Sequence, residues 1–335
     1  MSFSINNNAV CAVIGYGSWA TALVKILLEN EKMVAWHIAN SEVAESVIEN
    51  SYNHKYLSSV TFDTTSLHVS SDINEVVSMA DIVILATPSS YLISTLEPLT
   101  ASLEDKFVIS AIKGIIPDGL LTIAEYINQK YNLSFKQIGV ITGPCHAEEV
   151  ALGRLSYLNI VTTDTENSEL LASKFRGRYI KINLLKDIYG TEYSAVMKNI
   201  YAIAVGIAIG VGYGDNFISV LIANAHAEID KFLHESYPFE RGINSSPYLG
   251  DLLVTCYSQF SRNRTFGLMI GKGYSVKSAQ IEMSMIAEGY RATDCIKQIC
   301  SAKSIELPII DAVYAILYKR ASARNELSKL TNKLI

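Results

Sequence analysis

Two lysines in this sequence stand where a charged side chain is unusual. Lys198, followed by Asn199 and preceded by Glu192, lies in an otherwise apolar helical stretch at residues 188–211. Burying an unpaired ammonium group is expensive, so this lysine needs a partner or a task; the alternative is a side chain that extends its charge to solvent at the helix edge. Lys113 stands beside Gly114 at the end of a predicted strand, where open parallel sheets bind ligands, or else it is a solvated surface lysine.

A second group of polar residues has the composition of an anion site. Asp251 and Thr255 are four residues apart, on one face of a predicted helix. Ser261, Arg262 and Asn263 come at the predicted start of another helix. Arginine and asparagine donors, together with the positive end of the helix dipole, suit a phosphate dianion. A solvated basic turn is the alternative.

A glycine turn close to the N-terminus predicts a second kind of site. The apolar run at residues 10–14 ends in Gly15-Tyr16-Gly17-Ser18-Trp19-Ala20, and a predicted helix follows. In this strand, turn and helix, Gly15 permits the tight turn and Gly17 lets the backbone approach a pyrophosphate, while Ala20 is small enough for the helix to pack on the strand. The pattern indicates dinucleotide binding, with an ordinary tight turn as the alternative.

The elements that would position these residues fall into two parts. Strands alternate with helices as far as the strand at 138–142, and a helix at 170–175 and an edge strand at 179–183 follow. From about Asp187 long apolar-periodic helices take over. We predict an α/β fold with a doubly wound parallel Rossmann-type sheet followed by a smaller all-helical domain. The predicted domains are a dinucleotide-binding domain at 1–187 and a helical substrate and catalytic domain at 188–335.

The end of the second predicted strand leaves the cofactor open. In dinucleotide-binding folds an acidic residue here holds the ribose hydroxyls of NAD, and an arginine accommodates the 2′-phosphate of NADP. Residues 33–36 are followed by His37, Ile38, Ala39 and Asn40, so the sequence has neither. His37 either approaches the adenosine ribose or a 2′-phosphate, in place of the missing arginine, or is an exposed loop histidine.

Two further pairs of residues predict no separate catalytic or metal site. Cys145 and His146 are adjacent, but neighbouring side chains often point apart and no third orienting group is evident. His226 and Glu228 lie close together in a predicted helix and are interpreted as a structural polar pair, because two ligands alone do not make a metal site.

Composition limits the classes of partner that the chain can bind and indicates its cellular compartment. The 335 residues carry a net charge of −5 without a lysine/arginine tract, which argues against nucleic acid as a partner. The N-terminus has no signal-peptide pattern, and five cysteines without CxxC spacing indicate reduced thiols in a cytoplasm. The apolar stretch at 200–213 is too short to span a bilayer and predicts a buried helix. The apolar second domain could bury a homodimer face.

Taken together, these residues resemble one family, the NAD(P)-dependent glycerol-3-phosphate dehydrogenases of the bacterial type. The resemblance extends from about residue 10 to residue 320. Eight segments carry it, in the family's order: GYGSWATAL, DIVILATPS, SAIKGI, ITGPCHAEEVALG, YSAVMKN, GDLLVTC, SRNRTFG and AEGYRAT.

The resemblance implies a role for each matching residue. Lys198 matches the family's proton acceptor. The substrate-binding positions implied are Lys113, Gly143, Cys145, Lys198, Asn199, Asp251, Thr255, Ser261, Arg262 and Asn263. The cofactor-binding positions implied are Ser18, Trp19, Lys113, Ala147, Arg262, Ile286 and Glu288, to which the turn adds Gly15 and Gly17 and the second strand adds His37.

Two positions depart from the family's pattern. Cys145 stands where relatives usually have serine or threonine, and a thiol is a poorer hydrogen-bond donor, so a contact here is weaker or comes from the backbone. Ile38 stands where an arginine is usual, which leaves the choice between NAD and NADP open.

The activity implied is reversible hydride transfer between NAD(P)H and dihydroxyacetone phosphate, giving sn-glycerol 3-phosphate for phospholipid synthesis. Asp251 would orient the lysine or bind a substrate hydroxyl. One alternative is a β-hydroxyacid dehydrogenase, whose substrates need a carboxylate clamp instead of a phosphate site. The other is a regulator that binds NAD(P)H without turnover.

Overall fold

The computed structural model describes residues 3–283 and 287–335, and the chain divides into two compact units. The first consists of Met1–Ile112 and Ile123–Ile188, and the second of Lys113–Thr122 and Tyr189–Ile335. The short segment Lys113–Thr122 thus belongs to the second unit, although the first unit flanks it on both sides in the sequence.

An eight-stranded sheet forms the centre of the first unit. Its strands are β1 (Cys11–Ile14), β2 (Val34–His37), β3 (Leu67–Ser70), β4 (Ile82–Leu85), β5 (Phe107–Ser110), β6 (Ile138–Thr142), β7 (Ser156–Thr162) and β8 (Ile180–Leu185). Their order across the sheet is β3-β2-β1-β4-β5-β6-β7-β8. All neighbours are parallel except β6 and β7. The order reverses between β1 and β4, so the predicted doubly wound sheet is confirmed.

Seven helices accompany this sheet in the part of the first unit that the structure describes. They are α1 (Ser18–Leu28), α2 (Ser41–Asn50), α3 (Ile73–Ser78), α4 (Ser89–Leu96), α5 (Ile123–Tyr131), α6 (Ala147–Ala151) and α7 (Thr165–Phe175). Side chains of Asn40, Asp72 and Asp164 accept hydrogen bonds from the first turns of α2, α3 and α7, which satisfies backbone N–H groups that a helix leaves unpaired. The start of α1 has no such side-chain cap.

The buried strands explain why the sheet forms. All residues of β1, β2, β4 and β5 are buried, as expected for parallel strands covered on both faces. By contrast, β3 is half-buried throughout and lies at the sheet edge, so its sequence LHVS lacks an apolar run and no strand was predicted there. The strand β7 was also not predicted. It follows the five-residue helix α6, which is too short for a crossover, and accordingly runs antiparallel to β6.

The second unit is built from helices. Those among its described residues are α8 (Ile188–Val211), α9 (Asp215–Ser236), α10 (Asp251–Tyr257), α11 (Arg262–Gly271), α12 (Val276–Glu282), α13 (Glu288–Lys303), α14 (Pro308–Tyr318) and α15 (Ala323–Leu330). The predicted helical second part is therefore confirmed.

The helix α8 is the core of this unit. Its 24 residues, the whole of the predicted stretch at 188–211 and not only its most apolar part, make it long and apolar enough to cross a membrane, but 83% of its apolar window is buried inside the protein. The prediction of a buried helix is confirmed, although the length argument behind it was wrong. No other helix among the described residues meets the same criteria of length and composition.

Glycines allow α8 and α11 to cross at backbone contact. A Cβ atom added at Gly206 would lie 2.1 Å from the carbonyl oxygen of Arg264, and one added at Gly267 would lie 2.1 Å from that of Ile203. Real Cβ atoms do not approach so closely, so both positions require glycine. The crossing fixes α11, which begins with Arg262 and Asn263, against the helix that carries Lys198.

Candidate active site

Two lysines of the second unit meet around one carboxylate, that of Asp251, and the three side chains form a triad. The ammonium group of Lys198 donates to Oδ1 of Asp251 at 2.5 Å. The ammonium group of Lys113 donates to Oδ2 of Asp251 at 3.1 Å and to Oδ1 at 3.3 Å. Lys198 is 4% exposed and Asp251 1% exposed. Lys198 therefore has the partner that its burial demands, and it is not a lysine that extends to solvent.

The sequence places these three groups by different means. Lys198 lies in the middle of α8, and Asp251 is the first residue of α10, directly after a single π-helical turn at Ser246–Gly250. Such turns are rare and are found frequently at functional sites. Lys113 opens the segment Lys113–Thr122. Residues 113, 198 and 251 thus come from three separate parts of the chain.

Two cations and one anion meet in the triad, and burial together with these charges shifts the pKa values of Lys198 and Asp251. Burial lowers the pKa of Lys198 to about 7; Asp251 opposes that change and Lys113 reinforces it. For Asp251, burial alone would raise the pKa, but Lys113 and Lys198 outweigh it and the pKa lies below its usual value. A carboxylate therefore stays ionised next to a lysine that can gain or lose a proton near neutrality.

Two asparagine amides link the triad to the neighbouring helices. Asn199 Nδ2 donates to the carbonyl oxygen of Lys113 at 2.9 Å and to that of Ala195 at 3.2 Å. Asn263 Nδ2 donates to Asn199 Oδ1, and Asn263 Oδ1 accepts from the Gly289 backbone N–H, both at 2.9 Å. These bonds, which we call the amide relay, use both donor hydrogens of Asn199 and, among the described residues, one of the two on Asn263. The relay holds the backbone of Lys113 in place.

The remaining predicted residues of this unit lie around the triad and the relay in different ways. Thr255 Oγ1 donates to the Asp251 carbonyl oxygen at 2.6 Å, within α10. Ser261 caps α11 by accepting from the Arg264 N–H at 3.3 Å, and the exposed Arg262 is the first residue of that helix. Glu288 is the first residue of α13. Ile286, a predicted cofactor contact, lies outside the described residues.

The glycine turn of the first unit has the conformation that its sequence predicts. Gly15 has φ +121°, and a Cβ atom there would lie 2.6 Å from the Ala86 carbonyl oxygen. A Cβ atom at Gly17 would meet nothing within 4 Å, so space is open beside the backbone at the start of α1. The Trp19 indole Nε1 is buried and finds no hydrogen-bond acceptor among the residues described. An uncapped helix start, open space and an unused donor fit the phosphates of a dinucleotide.

Two side chains that sequence reasoning did not single out brace this turn. The Trp36 indole donates to the Gly15 carbonyl oxygen at 2.6 Å. Asn53 Nδ2 donates to the Tyr16 carbonyl oxygen and to Thr21 Oγ1, each at 2.9 Å. Asn53 lies in a stretch without periodicity, so no local signal could have identified it.

A second glycine of the first unit is equally constrained. Gly143 has φ +123°, and a Cβ atom there would lie 2.5 Å from Asn159 Nδ2. It is followed by the buried Cys145 and by Ala147, the first residue of α6. Gly143, Cys145 and Ala147 thus belong to the first unit, whereas Lys113, Lys198 and Asp251 belong to the second.

The structure excludes the alternative that His37 is an exposed loop histidine, and the expected pairing of His226 with Glu228 was wrong. His37 is not in a loop: it is the last residue of β2 and is 4% exposed. His226 and Glu228 do not pair with each other, because residues two apart on a helix point in different directions. His226 Nε2 contacts Asn244 Oδ1 at 3.0 Å. Glu228 accepts from the Ile309 N–H at 2.7 Å and from the Tyr201 hydroxyl at 3.1 Å.

Known proteins resemble this chain over nearly its whole length. A family model described as the N-terminus of NAD-dependent glycerol-3-phosphate dehydrogenase matches residues 10–168, and one described as the C-terminus of that enzyme matches residues 187–328. The chain is 31% identical to a glycerol-3-phosphate dehydrogenase [NAD(P)+] of Staphylococcus carnosus, over 96% of this chain and 97% of that one. A relative of the same name in Macrococcus caseolyticus is 32% identical with the same coverage. The crystal structure of glycerol-3-phosphate dehydrogenase from Coxiella burnetii superposes with a TM-score of 0.89, at 25% identity, over 97% of this chain and 99% of that one.

Proposed function

Since the chain belongs to the family of NAD-dependent glycerol-3-phosphate dehydrogenases, we propose that it transfers hydride reversibly between NAD(P)H and dihydroxyacetone phosphate, giving sn-glycerol 3-phosphate. The observation that carries this proposal for the present chain is the triad of Lys113 with the buried Lys198 and Asp251. It supplies an acid–base group with a pKa near neutrality in the helical unit, where the family's chemistry requires one.

Lys198 is the proton acceptor and donor in this proposal. Oxidation of the alcohol requires a base for the hydroxyl proton, and reduction of the ketone requires an acid that donates it back. A group is most effective in both roles when its pKa lies near the working pH, and burial brings the pKa of Lys198 to about 7. Its ammonium form also polarises the ketone oxygen before hydride arrives.

Asp251 and Lys113 set the protonation of Lys198. Asp251 is the anion that makes a buried ammonium group tolerable, and Lys113 limits this effect because it shares the same carboxylate. Both oxygens of Asp251 are engaged by lysines. We therefore favour the role of orienting the lysine over that of binding a substrate hydroxyl, two roles between which the sequence could not decide.

The phosphate of the substrate is proposed to bind at the start of α11. Arg262 is exposed there and offers a guanidinium group, and Asn263 retains one amide hydrogen after its bond to Asn199. Fork-shaped charged donors at a helix start suit a phosphate dianion. Binding energy from the unreactive phosphate would then orient the reacting carbon. We also propose, from the family pattern, that the substrate is contacted by Ser261, Thr255, Asn199, Gly143 and Cys145.

The nicotinamide cofactor supplies the hydride acceptor or donor when it is bound. Gly15, Gly17, Ser18 and Trp19 would hold its pyrophosphate through the open turn at the start of α1. His37 would lie towards the adenosine ribose. Lys113, Ala147, Arg262 and Glu288 are proposed as further contacts on the strength of the family pattern.

The test is oxidation of NADH or NADPH, followed by the loss of reduced-nicotinamide absorbance, with dihydroxyacetone phosphate as substrate. A panel of hydroxy and keto acids that carry a carboxylate distinguishes this activity from that of a β-hydroxyacid dehydrogenase. A site built for phosphate should reject these acids, whereas a carboxylate clamp should accept them. Turnover with the phosphate ester and none with the acids is expected. Cofactor binding without any turnover would instead favour the regulator.

The setting of the enzyme is part of the proposal. All five cysteines are buried thiols, consistent with a reducing compartment, and we propose a cytoplasmic enzyme that supplies phospholipid synthesis. Its partners would be a small phosphorylated substrate and, through the apolar helical unit, a second copy in a homodimer. Mass measurement in solution tests the homodimer.

A further inference from the structure

The carboxyl end of β2 decides which dinucleotide a doubly wound sheet accepts, because the adenosine ribose lies there. His37, the last residue of β2, is aligned with Ile14 of β1 on one side and with Ser70 of β3 on the other. It therefore stands one strand away from the glycine turn, which begins directly after Ile14. The charge at this end of β2 depends on His37, Ile38 and the start of α3. We call these residues the β2 corner.

Neither His37 nor Ile38 provides a positive charge at the β2 corner. Ile38 is fully buried, and its backbone N–H donates to the Ser70 carbonyl oxygen at 3.0 Å. His37 is almost fully buried, and its Nδ1 has no hydrogen-bond partner within the described part of the chain. Burial lowers the pKa of His37 below its usual value, although the Ser71 backbone and the charge of Asp72 act in the opposite direction. The imidazole is therefore neutral at physiological pH.

The start of α3, which completes the β2 corner, is acidic. Asp72 caps α3 by accepting from the Asn74 N–H at 2.8 Å, and its charge acts on His37. One helical turn later, Glu75 accepts from the Ser70 hydroxyl at 2.5 Å and contacts His68 Nε2 at 2.9 Å. The hydroxyl and His68 contacts lower the pKa of Glu75, which keeps it ionised. Two carboxylates thus lie at the start of α3, directly after the strand that is aligned with the end of β2.

From this juxtaposition we infer that the chain prefers NAD(H) to NADP(H). A neutral imidazole with an unused nitrogen can hydrogen-bond a ribose hydroxyl, whereas a phosphate dianion at the same place would find no cation on His37, Ile38 or the start of α3 and would lie beside an acidic helix start. His37 and Asp72 are the specificity-determining residues. This inference rests on the proposed function only in taking the glycine turn as a dinucleotide site.

One lysine in the same unit is a candidate for binding the 2′-phosphate of NADP(H). Lys55 is exposed, and its backbone N–H donates to Asn53 Oδ1, so it follows the side chain that braces the glycine turn. A long flexible lysine from this segment could reach a 2′-phosphate. It is therefore included in the experiment as the alternative determinant.

The experiment measures dissociation constants of NADH and NADPH for the full chain at low ionic strength, by calorimetry or by energy transfer from tryptophan to the nicotinamide. We expect NADH to bind about tenfold or more tightly, the difference that the loss of one charge-assisted hydrogen bond makes. Asp72→Asn keeps a capping side chain but removes the charge, and should tighten NADPH by about twofold to fivefold with little change for NADH. Asp164→Asn is the matched control, because Asp164 caps α7 in the same way.

Each result either supports or overturns the preference. Equal or tighter binding of NADPH overturns it, and loss of that binding in Lys55→Ala would assign the phosphate to Lys55. An unchanged NADPH affinity in Asp72→Asn overturns the role of Asp72. Failure to bind either dinucleotide would refute the proposed function itself, whereas binding without turnover would refute only the substrate, so the failures are distinguishable.

Discussion

Replacing Asp251 by asparagine should move the pH dependence of the reaction in a defined direction. Asparagine preserves the shape and can still accept a hydrogen bond from Lys198, but it removes the only anion that the structure shows between Lys113 and Lys198. Burial and the neighbouring ammonium group then act on Lys198 unopposed, so its pKa should fall below the wild-type value of about 7.

The size of the shift follows from the contact. Two unit charges about 4 Å apart interact by about 4 kcal/mol at an effective dielectric constant of about 20, which corresponds to about three pKa units. Relaxation and water entry will reduce this figure, so we expect a fall of about one to three units. The contact between Lys198 and Asp251 is the shorter of the two in the triad, so most of the loss is felt at Lys198.

The assay is the pH profile of kcat/KM in both directions. In alcohol oxidation the lysine must be neutral, so activity rises with pH through its pKa; in Asp251→Asn this rise should occur at lower pH. In ketone reduction the lysine must be protonated, so activity falls above its pKa and should fall earlier in the variant. Asp311→Asn, which removes the partner of the partly exposed Lys297, is the control and should leave both profiles in place. A limb that stays fixed or moves to higher pH in a folded Asp251→Asn variant would refute this account of the triad.

Three further predictions concern other groups. Lys198→Ala should lower turnover by about 10²- to 10⁴-fold with unchanged NADH affinity, while Lys297→Ala, which removes a surface ion pair, should remain near wild type; comparable turnover in the two would exclude Lys198 as the base. Gly15→Ala should lower the free energy of unfolding by about 1–3 kcal/mol, because a Cβ atom there collides with backbone, whereas Gly17→Ala, where space is open, should fold normally and bind NADH weakly; urea unfolding and calorimetry distinguish these outcomes. Burial raises the pKa of Glu228 to about 7, above its unfolded value, so the folded state binds more protons between about pH 4.5 and 7 and stability is lost as pH rises through that window. Glu228→Gln should remove up to about 3 kcal/mol of this loss in urea titrations at pH 5 and pH 8, and identical pH dependence in the two proteins would contradict the assignment.

Local sequence predicted those parts of the fold that depend on local pattern. The apolar runs of β1 and β4, each followed by a turn and a helix, predict a parallel sheet. Strands of such a sheet are covered on both faces, so they consist of continuous apolar residues. The half-buried edge strand β3 carries no such run. Residues 113–122 belong to the helical unit for reasons of packing, and a division of the sequence at residue 187 contains no information about this.

The candidate site was predictable as a set of residues but not as a geometry. Lys198 is conspicuous because a charge interrupts an apolar helix, yet its partner Asp251 lies 53 residues away and Lys113 is 138 residues from that aspartate. Family resemblance named all three without indicating that the two lysines share one carboxylate. Asn53, which braces the glycine turn from 37 residues away, has neither an unusual setting nor a motif.

The crossing of α8 and α11 limits how this sequence can change. The atoms that exclude a side chain at Gly206 and Gly267 are the carbonyl oxygens of Arg264 and Ile203, which every polypeptide possesses. No second substitution can make room for a methyl group there, so a change at either position would have to separate the two helices. Because these helices carry Lys198 and Asn263, such a change would disable the enzyme without altering any residue that meets the substrate. A substitution at either glycine therefore cannot be rescued by a second substitution elsewhere in the chain.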